Sequence, residues 1–190
     1  LTRNLIAVLA ATAAVVTACG SGSEPDSTAA QTPSAAATTS AAAATTSAPA
    51  GALPEVAAQL QFSATTINGE PFSGQSLAGK PAVLWFWTPW CPTCQREAPM
   101  VGQVSAAHPD VTFVGVAGLA ETPAMKEFVD KYQVNTFTEI ADTSGEVWTK
   151  FGVTKQPAYA FVGADGTVDI VRGPMSEPEL TERVKALSTR

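Results

Sequence analysis

Ala82-Val83-Leu84-Trp85-Phe86-Trp87 is a run of six apolar residues, and after Thr88-Pro89-Trp90 the chain reads Cys91-Pro92-Thr93-Cys94. An apolar run without alternation predicts a strand covered on both faces, at the centre of a sheet. Pro92 suits the first position of a helix, where a missing N–H costs nothing, so a helix is predicted from Pro92 to about Ala107. Two thiols therefore sit where a buried strand hands over to a helix, which demands a layered α/β arrangement. The chain has three cysteines and one histidine, His108. That set lacks the ligands of a four-coordinate zinc site, and the Cys91–Cys94 pair reads as a redox couple.

The chain has 190 residues. Residues 5–18 are apolar behind Arg3, a stretch suited to a signal-peptide core and short for a membrane span. It ends in Val16-Thr17-Ala18-Cys19-Gly20, which resembles a bacterial lipobox and implies cleavage before Cys19 and its acylation. The plainer alternative is a secreted protein cut nearby, with Cys19 incidental. Residues 20–51 are almost all Ala, Ser, Thr and Pro, with Glu24 and Asp26 as their only charges. Such a segment buries too little to offset its ordering entropy, so residues 19–52 read as a lipidated, flexible tether. Residues 53–190 are then one domain of ordinary size. The formal net charge of −6 argues against nucleic acid and against electrostatic adhesion to anionic lipid.

Within the domain, Asn68-Gly69 predicts a hairpin in 60–72, with strands read at Gln61-Phe62-Ser63 and Thr65-Thr66-Ile67. Further strands are predicted at 111–116, 136–141, 157–162 and 167–171, the last two joined over Asp165-Gly166. Helices are predicted at 122–132, with Thr122 as cap, at 145–151, and at 177–188.

Thiolate is the reactive form of cysteine, and a helix N-terminus stabilises it through unpaired N–H groups and the macrodipole. Cys91 falls there. Cys94, one turn in, is more shielded, so Cys91 is the exchanging sulfur and Cys94 the resolving one. Glu97 lies three residues beyond Cys94 on the same helix face, where a carboxylate could take the resolving thiol's proton. A solvated glutamate paired with Arg96 or a lysine is the plainer alternative. Trp90 is predicted to lie exposed beside Cys91 as an apolar platform, Trp85, Phe86 and Trp148 to be core, and His108 to be at the surface.

Trp85-Phe86-Trp87-Thr88-Pro89-Trp90-Cys91-Pro92-Thr93-Cys94, with Arg96-Glu97-Ala98-Pro99, resembles the active-site segment of the thioredoxin superfamily, and most closely its extracytoplasmic TlpA/ResA/DsbE-like thiol–disulfide oxidoreductases. The leading hairpin, the 122–141 segment and Gln156-Pro157-Ala158-Tyr159 are similar to that subgroup's N-terminal addition, central insert and cis-proline stretch. The resemblance implies a thioredoxin-like α/β fold with an N-terminal β-hairpin, a central αβ insert and a mixed sheet flanked by helices. It implies that Pro157 is cis, where the residues alone suggest a trans proline at a strand start. Gln156 would then offer backbone groups to an extended substrate. Pro99 matches the proline inside the active-site helix. Thioredoxins carry a buried acid six residues before the first cysteine; here that position is Trp85.

The implied reaction is exchange between the Cys91–Cys94 pair and exported cysteine-containing proteins, with no cofactor and no metal. The lipobox and tether resemble actinobacterial DsbE/DsbF-like lipoproteins, implying disulfide formation outside the membrane and recharging by a membrane redox partner. The Pro92-Thr93 dipeptide instead matches DsbE-type reductases of cytochrome c maturation. A peroxiredoxin-like peroxidase is a third reading, because that family shares the hairpin and Thr88 stands three residues before Cys91. Leu84 replaces its expected proline, however. A copper metallochaperone is disfavoured by the lack of a nearby His or Met cluster.

Overall fold

The structure, a computed structural model, describes residues 57–189. The predicted signal segment, Cys19 and the whole of the tether lie outside the described residues. The described elements run β1 (Ser63–Thr65), β2 (Pro71–Ser73), β3 (Ala82–Trp87), α1 (Pro92–Ala107), β4 (Thr112–Gly118), α2 (Thr122–Tyr132), β5 (Thr138–Asp142), α3 (Glu146–Lys150), β6 (Ala158–Val162), β7 (Val168–Arg172) and α4 (Glu177–Ser188). Short 3-10 turns occupy Ala58–Leu60 and Gly74–Leu77.

The main sheet has the order β5-β4-β3-β6-β7. β3 pairs parallel with β4 and antiparallel with β6, so the apolar run is central, and all six of its residues are buried. Val83, Trp85 and Trp87 point into a core built with α1, α2 and α4. Leu84 and Phe86 point into the opposite core, with Leu60, Leu77 and the Trp148 and Phe151 rings near α3. Side chains alternate across a strand, and here each face finds its own cover.

The hairpin forms, but not with the predicted strands. β1 lies before Asn68-Gly69 and β2 after it, paired antiparallel from Ser63–Ser73 to Thr65–Pro71, whereas both predicted strands stood ahead of the turn. Gly69 takes φ 88°, which explains the glycine at that corner. α2 begins at Thr122 itself, the expected cap: the capping position falls one residue earlier, at Glu121, and no side chain caps it. Among the described residues, no helix is long and apolar enough to cross a membrane.

Candidate active site

Cys91 is the capping residue at the N-terminus of α1, and Pro92 follows in the first turn. The Cys94 backbone N–H donates to Cys91 Sγ at 3.2 Å. A donor the helix would otherwise leave unused is thereby aimed at the sulfur that gains charge when a disulfide opens. The preceding loop is held by Cys91 N–H to the Thr88 carbonyl (3.2 Å) and by Gln95 Nε2 to the Pro89 carbonyl (2.8 Å). Both thiols are free. Cys91 is 5% exposed and Cys94 fully covered. Burial, then the hydrogen bond with Cys91, pushes the Cys94 thiol well above its ordinary range, and the charge of Glu97 adds to the push. Cys94 therefore needs a nearby base to react as thiolate.

Glu97 is buried at 7% exposure, so the solvated-glutamate alternative is overturned. Arg96, its supposed partner, donates to Thr93 Oγ1 instead. The Glu97 oxygens accept from Tyr159 Oη (3.0 Å) and from the Met175 backbone N–H (2.8 Å). Burial raises its pKa above the ordinary carboxyl value, and those two donors work against the rise.

Trp90 is exposed, as predicted, and its indole N–H donates to the Leu119 carbonyl at 3.2 Å. Leu119 is also exposed and takes φ 53°, an unusual conformation for leucine. A cleft of about 280 Å³ lies between Trp90, Pro89 and the Ala124 and Phe128 face of α2. The Gln156–Pro157 bond is cis. Pro157 immediately precedes β6, whose first residue pairs with Phe86 near the end of β3 that leads to Cys91. Pro157 is buried and Gln156 partly so. Trp85, Phe86 and Trp148 are core, and His108 ends α1. Among the described residues, no group of three or more His, Cys, Asp and Glu could hold a metal.

The AhpC/TSA family model matches residues 55–171. The chain belongs to the AhpC/TSA family. Soluble secreted antigen MPT53 of Mycobacterium tuberculosis is 54% identical over 134 residues, covering 69% of this chain and 77% of that protein. The solved structure of MTB dsbF in its mixed oxidized and reduced forms shares 70% identity and covers 70% of this chain and 99% of its own, with a TM-score of 0.69. That of a secreted Mycobacterium tuberculosis disulfide oxidoreductase homologous to E. coli DsbE shares 55% identity, covers 68% and 98%, and has a TM-score of 0.65. This AhpC/TSA member is a thiol–disulfide oxidoreductase with a thioredoxin-like fold and TlpA/ResA/DsbE-type relatives.

Three features escaped the sequence reading. Tyr159 has no role in the sequence analysis beyond its place in the 157–162 strand and the proline stretch, and the Met175 N–H contact joins positions 78 apart. Glu139 has no role in the sequence analysis beyond its place in the strand at 136–141, yet it is 4% exposed, with Oε2 accepting from Trp87 Nε1 at 3.0 Å. Its other oxygen has no partner among the described residues. The available signal was Gly115 in a strand interior, where glycine marks a close approach.

Proposed function

We propose that the protein is an extracytoplasmic donor of disulfides to exported cysteine-containing proteins through its Cys-Pro-Thr-Cys pair. The observation that carries this is the asymmetry of the pair: Cys91 at the helix tip with a donor on its sulfur, and Cys94 covered behind it. A substrate thiolate attacks Cys91 Sγ, the Cys91–Cys94 bond breaks, and Cys94 leaves with the electron pair. Glu97 gives that sulfur a proton. A second substrate thiolate then attacks the substrate sulfur of the mixed disulfide, forming the substrate's disulfide and releasing Cys91. In reverse, Glu97 takes the proton from Cys94 as it attacks. Trp90 supplies the apolar platform, and Gln156 and Pro157 supply the edge against which an extended substrate lies. Recharging falls to a membrane redox partner.

The reduction potential tests the direction. Equilibration in glutathione buffers should place the couple nearer the roughly −120 mV of strong oxidants than the roughly −270 mV of thioredoxin. A value at or below the latter sinks the donor reading in favour of a reductase of the cytochrome c maturation type.

The secreted relatives support placement outside the cytosol. Residues 1–18 are assigned as signal peptide, Cys19 as the lipidated residue and 19–52 as the tether, holding the domain at the outer face of the membrane. A Cys19→Ala protein should be released into the medium; unchanged membrane partition rejects the anchor.

A further inference from the structure

Tyr159 follows Pro157 by two residues and is fully buried in β6. In the antiparallel register it stands opposite Trp85, the position six residues before Cys91. No ionisable side chain occupies that place on β3. The hydroxyl of Tyr159 reaches Glu97 of α1 from the neighbouring strand instead, at 3.0 Å. Burial raises the Tyr159 pKa, so the phenol keeps its proton and acts toward Glu97 as a donor. The other Glu97 oxygen is held by a main-chain N–H, which no side-chain substitution removes directly. Tyr159 is therefore the adjustable half of the cradle.

The groups around Glu97 are few. Its own helix brings Arg96 and the Cys94 thiol, β6 brings Tyr159, and the segment before α4 brings the Met175 N–H. Arg96 is exposed and engaged with Thr93, so it acts on Glu97 only at a distance. The phenol is thus the one side-chain donor on the carboxylate among the described residues.

We propose that Tyr159 is a positioning residue for disulfide exchange: it holds Glu97 as a carboxylate beside Cys94 and so sets the pH below which the resolving step fails. This rests on the assignment of Glu97 as the group that exchanges a proton with Cys94. In the step concerned, Cys94 S–H loses its proton to Glu97 and its sulfur attacks Cys91 Sγ of the mixed disulfide. The Cys91–Cys94 bond forms, and the bond from Cys91 to the departing thiolate breaks. A hydrogen bond to the ionised carboxylate favours that form, so its loss raises the carboxyl pKa and leaves less carboxylate at a given acid pH. Tyr159→Phe keeps the ring that fills the core and removes only the donor.

The test uses the reduced protein mixed with excess oxidised glutathione. Decay of the Cys91–glutathione mixed disulfide is followed by acid quench and mass spectrometry from pH 4 to 9. For Tyr159→Phe the midpoint of the acid limb should move up by about one pH unit. The rate should be about tenfold slower below it, and the plateau should be kept. Glu97→Gln should be slow throughout and lack that limb. If Tyr159→Phe superimposes on the parent, or is slowed equally at every pH, while Glu97→Gln is slow, the role of Tyr159 is overturned and that of Glu97 stands. If Glu97→Gln superimposes on the parent, both are overturned.

Discussion

Cys91→Ser should abolish exchange with protein thiols and disulfides, lowering turnover by about a thousandfold or more, while Cys94→Ser, which cannot form the internal disulfide, should still attack a protein disulfide through Cys91 and stop at the mixed disulfide. The two thiols are the same group in different positions, and position sets how each reacts. Cys91 stands at the mouth of the helix with the Cys94 N–H on its sulfur, and Cys94 is completely covered. A substrate can reach the first and not the second. Incubated with a disulfide-bonded protein, Cys94→Ser should therefore accumulate covalent complexes visible on non-reducing gels, and Cys91→Ser should give none. Complexes formed equally by both variants would reverse or erase the assigned roles.

The second large effect lies away from the thiols. A Cβ added at Gly115 of β4 would fall inside the carboxyl group of Glu139 on β5, its partner in register. Glu139 is held by Trp87 and enclosed by the core, so its carboxyl has no free route aside. Gly115→Ala should cost about 1–3 kcal/mol of stability through overpacking. In a Glu139→Ala background the same change should cost less than half as much, because the space is then open. Denaturant unfolding of the four proteins measures the coupling, and equal costs in both backgrounds would show that the two positions do not compete.

Acidity gives a second readout. Burial raises the Glu139 pKa well above the ordinary carboxyl value, while the Trp87 N–H opposes the rise. The folded state thus binds the proton more tightly than the unfolded one. Stability linked to Glu139 is full below the unfolded carboxyl's pKa of about 4.3 and is lost as pH rises toward the folded value. Glu139→Gln should gain on the parent as pH rises from 4 to 8; a pH-independent difference would contradict the sign.

The sheet's centre and the redox helix were legible for direct reasons. The six apolar residues of β3 admit no amphipathic alternative, and Pro92 after Cys91 places the start of α1. Asn68-Gly69 marked its turn correctly, but β1 and β2 have three residues each and are only partly covered, too little for periodicity to locate. The burial of Glu97 could not be read from its own helix, because the atoms that enclose it come from β6 and from Met175. Glu139 was hidden for the same reason: its environment is a notch cut by a glycine on another strand.

The small hairpin has a consequence for self-association. A sheet edge with free N–H and C=O groups is a template onto which another chain can add. β5 is one edge of the main sheet, and the hairpin lies along it through the Thr66–Ile140 bridge and the Ile67 N–H to the Glu139 carbonyl at 2.9 Å. At the other edge, β7 carries Asp169, bound to Arg183 at 2.8 Å, and Arg172, bound to the Gly152 carbonyl at 3.1 Å. One edge is guarded by backbone and the other by charge. A chain shortened past residue 70 would keep both cysteines and the Glu97 cradle, yet it would bare β5 and acquire a tendency to polymerise that its redox chemistry does nothing to prevent.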